Sequence, residues 1–150
     1  MVIGLLAHDE KKELMTQFCI AYCGLLSKHS LCSTATTGKL ISDATGLDIE
    51  LLLSGRHGGL QQMVSRVAYN EIDVLLFLRE TGKRRMLDET EADLFRLCDM
   101  YNVPFATNLA SAEAIVLALG RGDLDWRNIV NSNKQKKLRS AGFDDFGFSL

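Results

Sequence analysis

Five short, largely apolar runs, each followed at once by a polar or glycine-rich cluster, constrain this chain more than any other feature. They are V-I-G-L-L-A at 2–7, L-C-S-T-A at 31–35, L-D-I-E-L-L-L at 47–53, I-D-V-L-L-F-L at 72–78 and V-P-F-A-T at 103–107. Such runs are short for helices, and near-continuous apolar character marks strands buried on both faces, as in a parallel sheet. Between them the apolar spacing changes to that of helices. Leu14, Met15, Phe18, Ile20, Ala21, Tyr22 and Leu25 make a broad stripe within 10–26, and 39–45, 60–69, 89–101 and 111–119 also read as helical. This alternation predicts an α/β fold, a three-layer sandwich with a mainly parallel five-stranded sheet. Ligand-contacting residues of such a sheet gather at the carboxyl ends of its strands. His8 with Asp9, the stretch from Thr34 to Gly38, the stretch from Ser54 to Gly59, Glu80, and Thr107 with Asn108 hold those places.

Composition narrows the classes. A chain of 150 residues with 47% hydrophobic residues and a single proline can bury one ordinary core, which excludes both a multidomain machine and a disordered segment. The division expected is one α/β domain over 1–130 and a C-terminal tail over 131–150, either docked on a neighbour or partly disordered. With 17 basic against 19 acidic residues there is no electrostatic case for nucleic acid, although Arg79 with Lys83, Arg84 and Arg85 forms a local basic patch. No run reaches the ~20 apolar residues of a membrane span. A cytoplasmic location is the expectation, with no membrane partner. Cys19, Cys23, Cys32 and Cys98 form no C-x-x-C pair and lack the partners of a zinc site, so buried thiols and no metal are expected.

Two segments invite an anion. S-T-A-T-T-G-K at 33–39 presents four hydroxyls and a glycine just before a helix, where free amides and the helix dipole favour a phosphate. The competing explanation is an ordinary helix cap. L-S-G-R-H-G-G-L at 53–60 could add backbone donors, the glycines marking either a turn or a close approach of ligand. It lacks the ending of a nucleoside-triphosphate loop, and no G-x-G-x-x-G follows the first run, so ATP and dinucleotides are poorly supported.

A-H-D-E-K-K, T-A-T-T-G-K-L-I, A-T-G-L-D-I, L-S-G-R-H-G-G-L-Q-Q, I-D-V-L-L-F-L and V-P-F-A-T-N-L-A-S-A-E lie in the order and spacing of one known family. Over residues 2 to about 119 the chain resembles methylglyoxal synthase. That resemblance implies a compact α/β domain, usually homohexameric. It also implies a reaction, conversion of dihydroxyacetone phosphate into methylglyoxal and inorganic phosphate, without metal or organic cofactor. Carried over residue by residue, His8, Asp9 and Lys12 match the opening motif, whose lysine helps to hold the substrate phosphate. Thr34, Thr36, Thr37 and Gly38 match the phosphate-cradling pattern, with Ala35 replacing its first glycine, and Ser54 and Gly55 begin the next motif.

There the pattern breaks. Arg56 replaces the family's proline, and Leu60 stands where the family has its catalytic aspartate. In the following motif Glu80 keeps the first acid, while Leu87 stands at the histidine and Thr90 at the last aspartate. An enediolate forms only if a base removes the proton beside the carbonyl, and leucine cannot accept it. The expectation is a protein that binds a phosphate-bearing small metabolite, or inorganic phosphate, and is impaired in eliminating phosphate from dihydroxyacetone phosphate. Lost acids and a gained arginine should make its pocket more positive than the family's. The alternatives left open are an active synthase, a divergent phospho-substrate lyase using Asp9 or Glu80 with His8, and a non-catalytic oligomeric interaction module. Replacing Leu60 by Asp and Leu87 by His should restore methylglyoxal formation if the rest of the synthase site is intact.

Overall fold

A computed structural model describes residues 1–82 and 86–131. The basic stretch at 83–85 and the tail from residue 132, with its expected docking or disorder, lie outside the described residues. The chain divides into two units, Met1–Val116 and Leu117–Leu150, and the first contains every strand of the sheet.

The five runs become β1 (Val2–Ala7), β2 (Ser30–Thr34), β3 (Ile49–Leu52), β4 (Val74–Leu78) and β5 (Phe105–Ala106). Between them lie α1 (Lys12–Ala21), α2 (Cys23–Leu26), α3 (Ala35–Thr45), α4 (Gly59–Ala68) and α5 (Glu89–Met100), and α6 (Leu109–Gly120) follows β5. Strand order is β3-β2-β1-β4-β5, and all four pairings are parallel. The expected α/β sandwich is therefore present, with a sheet that is parallel throughout.

Side-chain alternation along the strands explains the layers. Leu6, Leu75 and Phe77 meet Met63 and Val67 of α4 and Leu94 and Cys98 of α5 in one buried cluster. Ile3 and Leu5, both fully buried, point to the opposite face, where α1 packs beside α3. The chain runs outward from β1 to β3 and then returns to place β4 on β1's other side. That reversal is a topological switch point, and it separates the loops leaving β1 and β4 into a crevice. His8 marks its floor, its amide donating to the Leu78 carbonyl at 3.0 Å.

Two boundaries differ from expectation in ways that bear on the site. Helix α3 starts at Ala35 and not near Lys39, so Thr36, Thr37 and Gly38 form its opening turns and are not a loop ahead of it. Threonine and glycine are weak helix formers, and tertiary packing overrides that preference here. A Cβ on Gly38 would stand 3.1 Å from the Ser33 Cβ, so glycine lets the helix lie close on β2. The expected 10–26 helix is also divided: a 3-10 turn at Asp9–Lys11 precedes α1, and Tyr22 (φ −107°, ψ 21°) separates α1 from α2.

Cys19, Cys32 and Cys98 are buried as expected, while Cys23 is half-buried. Burial pushes the Cys19 thiol up to about 12 and the Cys32 thiol up to about 11. A thiol needs its thiolate form to react or to bind metal, so these two behave as small apolar side chains. Among the described residues no helix is long and apolar enough to cross a membrane.

Candidate functional site

Three strand-to-helix passages converge on a cavity of about 760 Å³ at the carboxyl ends of β1, β2 and β3. The first supplies His8, Asp9 and Lys12, the second Thr34 and Thr36, and the third Ser54, Gly55, Arg56, His57 and Leu60. Phe77 of β4 lies at the other side with Asp88 and Glu91, from the start of α5. Most of the residues singled out in the sequence are thus brought together. Thr37 and Gly38 are buried behind the wall and do not line it. Glu80 also lies off the lining. Its backbone amide donates to His8 Nδ1 at 2.8 Å, and its carboxylate accepts the Gly82 amide at 2.6 Å. Leu87 is 46% exposed and, like Thr90, is not part of the lining.

The entrance of α3 is the most anion-receptive part. Thr34 is the residue that precedes the helix, and its side chain makes no capping hydrogen bond. An ordinary cap therefore does not explain the threonines. The Ala35 amide donates to the Leu53 carbonyl at 3.4 Å, which leaves the amides from Thr36 onward at the helix start. Such amides, with the dipole of an 11-residue helix behind them, stabilise an anion. The Ser33 and Thr37 hydroxyls are buried with no hydrogen-bond partner among the described residues.

Two cations line the same cavity, and one carboxylate holds both. Asp9 accepts from Lys12 Nζ at 2.7 Å and from Arg56 Nη2 at 3.0 Å. Hydrogen bonding and charge from Lys12, then from Arg56, hold the Asp9 carboxyl below the usual carboxylate range. A carboxylate so held is a weak base and stays ionised near neutrality. The Asp9–Arg56 pair joins the loops after β1 and β3, although Arg56 itself is 84% exposed, so the pair adds little stability.

Opposite stands a group that sequence reasoning missed. Glu91 is 2% exposed, and its Oε2 lies 2.6 Å from His8 Nε2. Because His8 Nδ1 accepts the Glu80 amide, the ring proton is on Nε2 and is donated to Glu91. Glu91 Oε1 accepts the Asp88 amide at 3.2 Å, and Asp88 Oδ1 accepts the Glu91 amide at 2.8 Å, a reciprocal capping box. The D-E-T-E spacing at 88–91 carries a signal for that box. It carries none for the His8 contact, which joins residues 83 positions apart. Replacing Glu91 with Ala removes an ionic acceptor and half a cap together. The expected cost is about 2 kcal/mol, read from the midpoint of urea unfolding.

The cavity is lined by charges of both signs. Asp9, Glu10, Asp88 and Glu91 line it against Lys12 and Arg56. Cations, hydroxyls and the α3 entrance lie on the β1–β3 side, and the capping carboxylates lie on the α5 side. This arrangement suits a ligand with an anion at one end and hydrogen-bond donors at the other.

Comparison with known proteins agrees with this architecture. The MGS-like domain family matches residues 15–107. The methylglyoxal synthase of Caldicellulosiruptor saccharolyticus is 53% identical over 136 residues, covering 91% of this chain and 96% of that protein. The methylglyoxal synthase of Clostridioides difficile is 47% identical over 136 residues, covering 91% of this chain and 99% of that protein. The crystal structure of methylglyoxal synthase from Elizabethkingia anophelis superposes with a TM-score of 0.70 at 36% identity, over 77% of this chain and 76% of that one. With a family model matching residues 15–107 and relatives about half identical over 91% of its length, this chain belongs to the methylglyoxal-synthase-like family.

Proposed function

We propose that this protein binds a phosphate-bearing small metabolite in the cavity and is impaired in eliminating phosphate from dihydroxyacetone phosphate. The observation that carries the reading is the division of the cavity wall. Lys12, Thr34, Thr36, Ser54 and Gly55 line it beside the uncapped α3 entrance, and Leu60 lines the same wall. Phosphate recognition needs donors and positive charge, which are present. Elimination also needs a base at the carbon beside the carbonyl, and an alkyl side chain stands at the family's position for it. The kinship with methylglyoxal synthases supports the choice of a triose phosphate as ligand.

Two alternative bases fare worse. Asp9 is held ionised and weakly basic by its two cations, and Glu80 does not line the cavity. The oligomeric reading draws support from Leu51, on the edge strand β3, and Leu53 just beyond it, which are 49% and 53% exposed. Thermal unfolding with inorganic phosphate or dihydroxyacetone phosphate tests the main proposal. Ligand at about 100 times its Kd should raise Tm by roughly 5–10 °C. An unmoved Tm, or steady release of phosphate with methylglyoxal at a rate ordinary for an enzyme, about 1 s⁻¹ or more, would overturn it.

A further inference from the structure

Proton transfer in this cavity need not depend on the residues that the family pattern leads one to inspect. Every other ionisable group whose partners are resolved there is committed. His8 has Nδ1 occupied by the Glu80 amide and Nε2 by Glu91. Glu91 receives both His8 and the Asp88 amide, and Asp88 receives the Glu91 amide. Asp9 is shared between Lys12 and Arg56. His57 differs. It lines the cavity in the loop that leads to Leu60, and it occupies a position at which the family motif prescribes no residue. Its Nδ1 lies 2.6 Å from Ser54 Oγ, and Nε2 has no partner among the described residues. With the proton on Nδ1, that nitrogen donates to Ser54 and orients the ring, leaving the Nε2 lone pair unshared.

We propose that His57 is the cavity's proton-transfer residue, a base that enolises a bound phosphorylated ketone in place of the carboxylate lost at Leu60. The inference rests on the phosphate-binding reading above. The step balances within the site. The Nε2 lone pair takes a proton from the carbon beside the carbonyl, the C–H electron pair becomes the new C=C bond, and the carbonyl π pair moves to oxygen as the enediolate. The imidazolium then exchanges its proton with solvent and returns one to carbon. Return of the proton to carbon restores the ketone before the C–O bond to phosphate breaks, so exchange outruns elimination.

Dihydroxyacetone phosphate in heavy water, followed by proton NMR, tests this. Wild-type protein should incorporate deuterium beside the carbonyl faster than it forms methylglyoxal. The rate should rise with pH and then level, as required of a base that works deprotonated. His57→Gln keeps a polar group near Ser54 at an exposed position, and it should lower the exchange by about 100-fold or more. Circular dichroism and Tm verify that the variant is folded. Exchange that survives in folded His57→Gln overturns the assignment and exposes a contaminating isomerase or another base. A ligand-induced rise in Tm without exchange in wild type overturns it too, leaving the binding reading intact. The absence of any rise in Tm removes both.

Discussion

Leu60→Asp is expected to raise methylglyoxal formation from dihydroxyacetone phosphate by about 10²- to 10⁴-fold, the contribution of one well-placed proton-transfer group. Leu60 lines the cavity as the second residue of α4, so a carboxylate there would enter the space occupied by ligand. A negative charge in a first helical turn is favourable by roughly 0.3–1 kcal/mol, which offsets part of the lost packing of Leu60 on the core. Leu87→His should add little, although the family pattern pairs the two positions, because Leu87 is 46% exposed and off the lining. Phosphate release and trapped methylglyoxal, measured for the two single variants and the double, separate these expectations. If Leu60→Asp still gains stability from phosphate but forms no more methylglyoxal, the idea that the absence of a carboxylate at this position limits elimination fails.

Gly59→Ala should be strongly destabilising, costing more than about 4 kcal/mol. Its Cβ would stand 1.9 Å from the Leu53 carbonyl oxygen and 2.8 Å from that of Ser54. Both are backbone atoms, so no rotamer change relieves the overlap. The Gly59 amide also donates to the Ser54 carbonyl at 2.9 Å, which ties the helix start to the cavity loop. Loss of structure in the loop should therefore abolish ligand stabilisation along with fold stability. Gly55→Ala is the internal control, since nothing lies within 4 Å of its added Cβ. Urea unfolding of the two variants decides it, and a Gly59→Ala protein within 1 kcal/mol of wild type, by order of magnitude, would contradict the packing argument.

These glycines show how far a sequence can be read. Their clustering at 55–59 marked either a turn or a close approach of ligand. Gly58, at φ +99°, and Gly59, against a carbonyl, answer to the chain's own turn. The strands were legible because a parallel strand buried on both faces is a continuous apolar run, a signal contained within a few residues. Helix α3 was legible in existence but misplaced at its start, because Gly38 serves contact with β2 and not helix propensity.

The site divides along the same line. By itself the sequence determined the α/β class, the strands whose ends carry the polar clusters, and the hydroxyl-rich stretch at 33–39. All of these are properties of residue type and local spacing. Only the tertiary structure decided that Arg56 reaches Asp9 from 47 positions away, that the Glu80 amide and Glu91 together fix the His8 tautomer, and that His57 Nε2 has no partner among the described residues. Hydrogen bonds and ion pairs act over about 3 Å, so which groups are committed and which remain free for chemistry depends on where the parallel strands bring distant loops together.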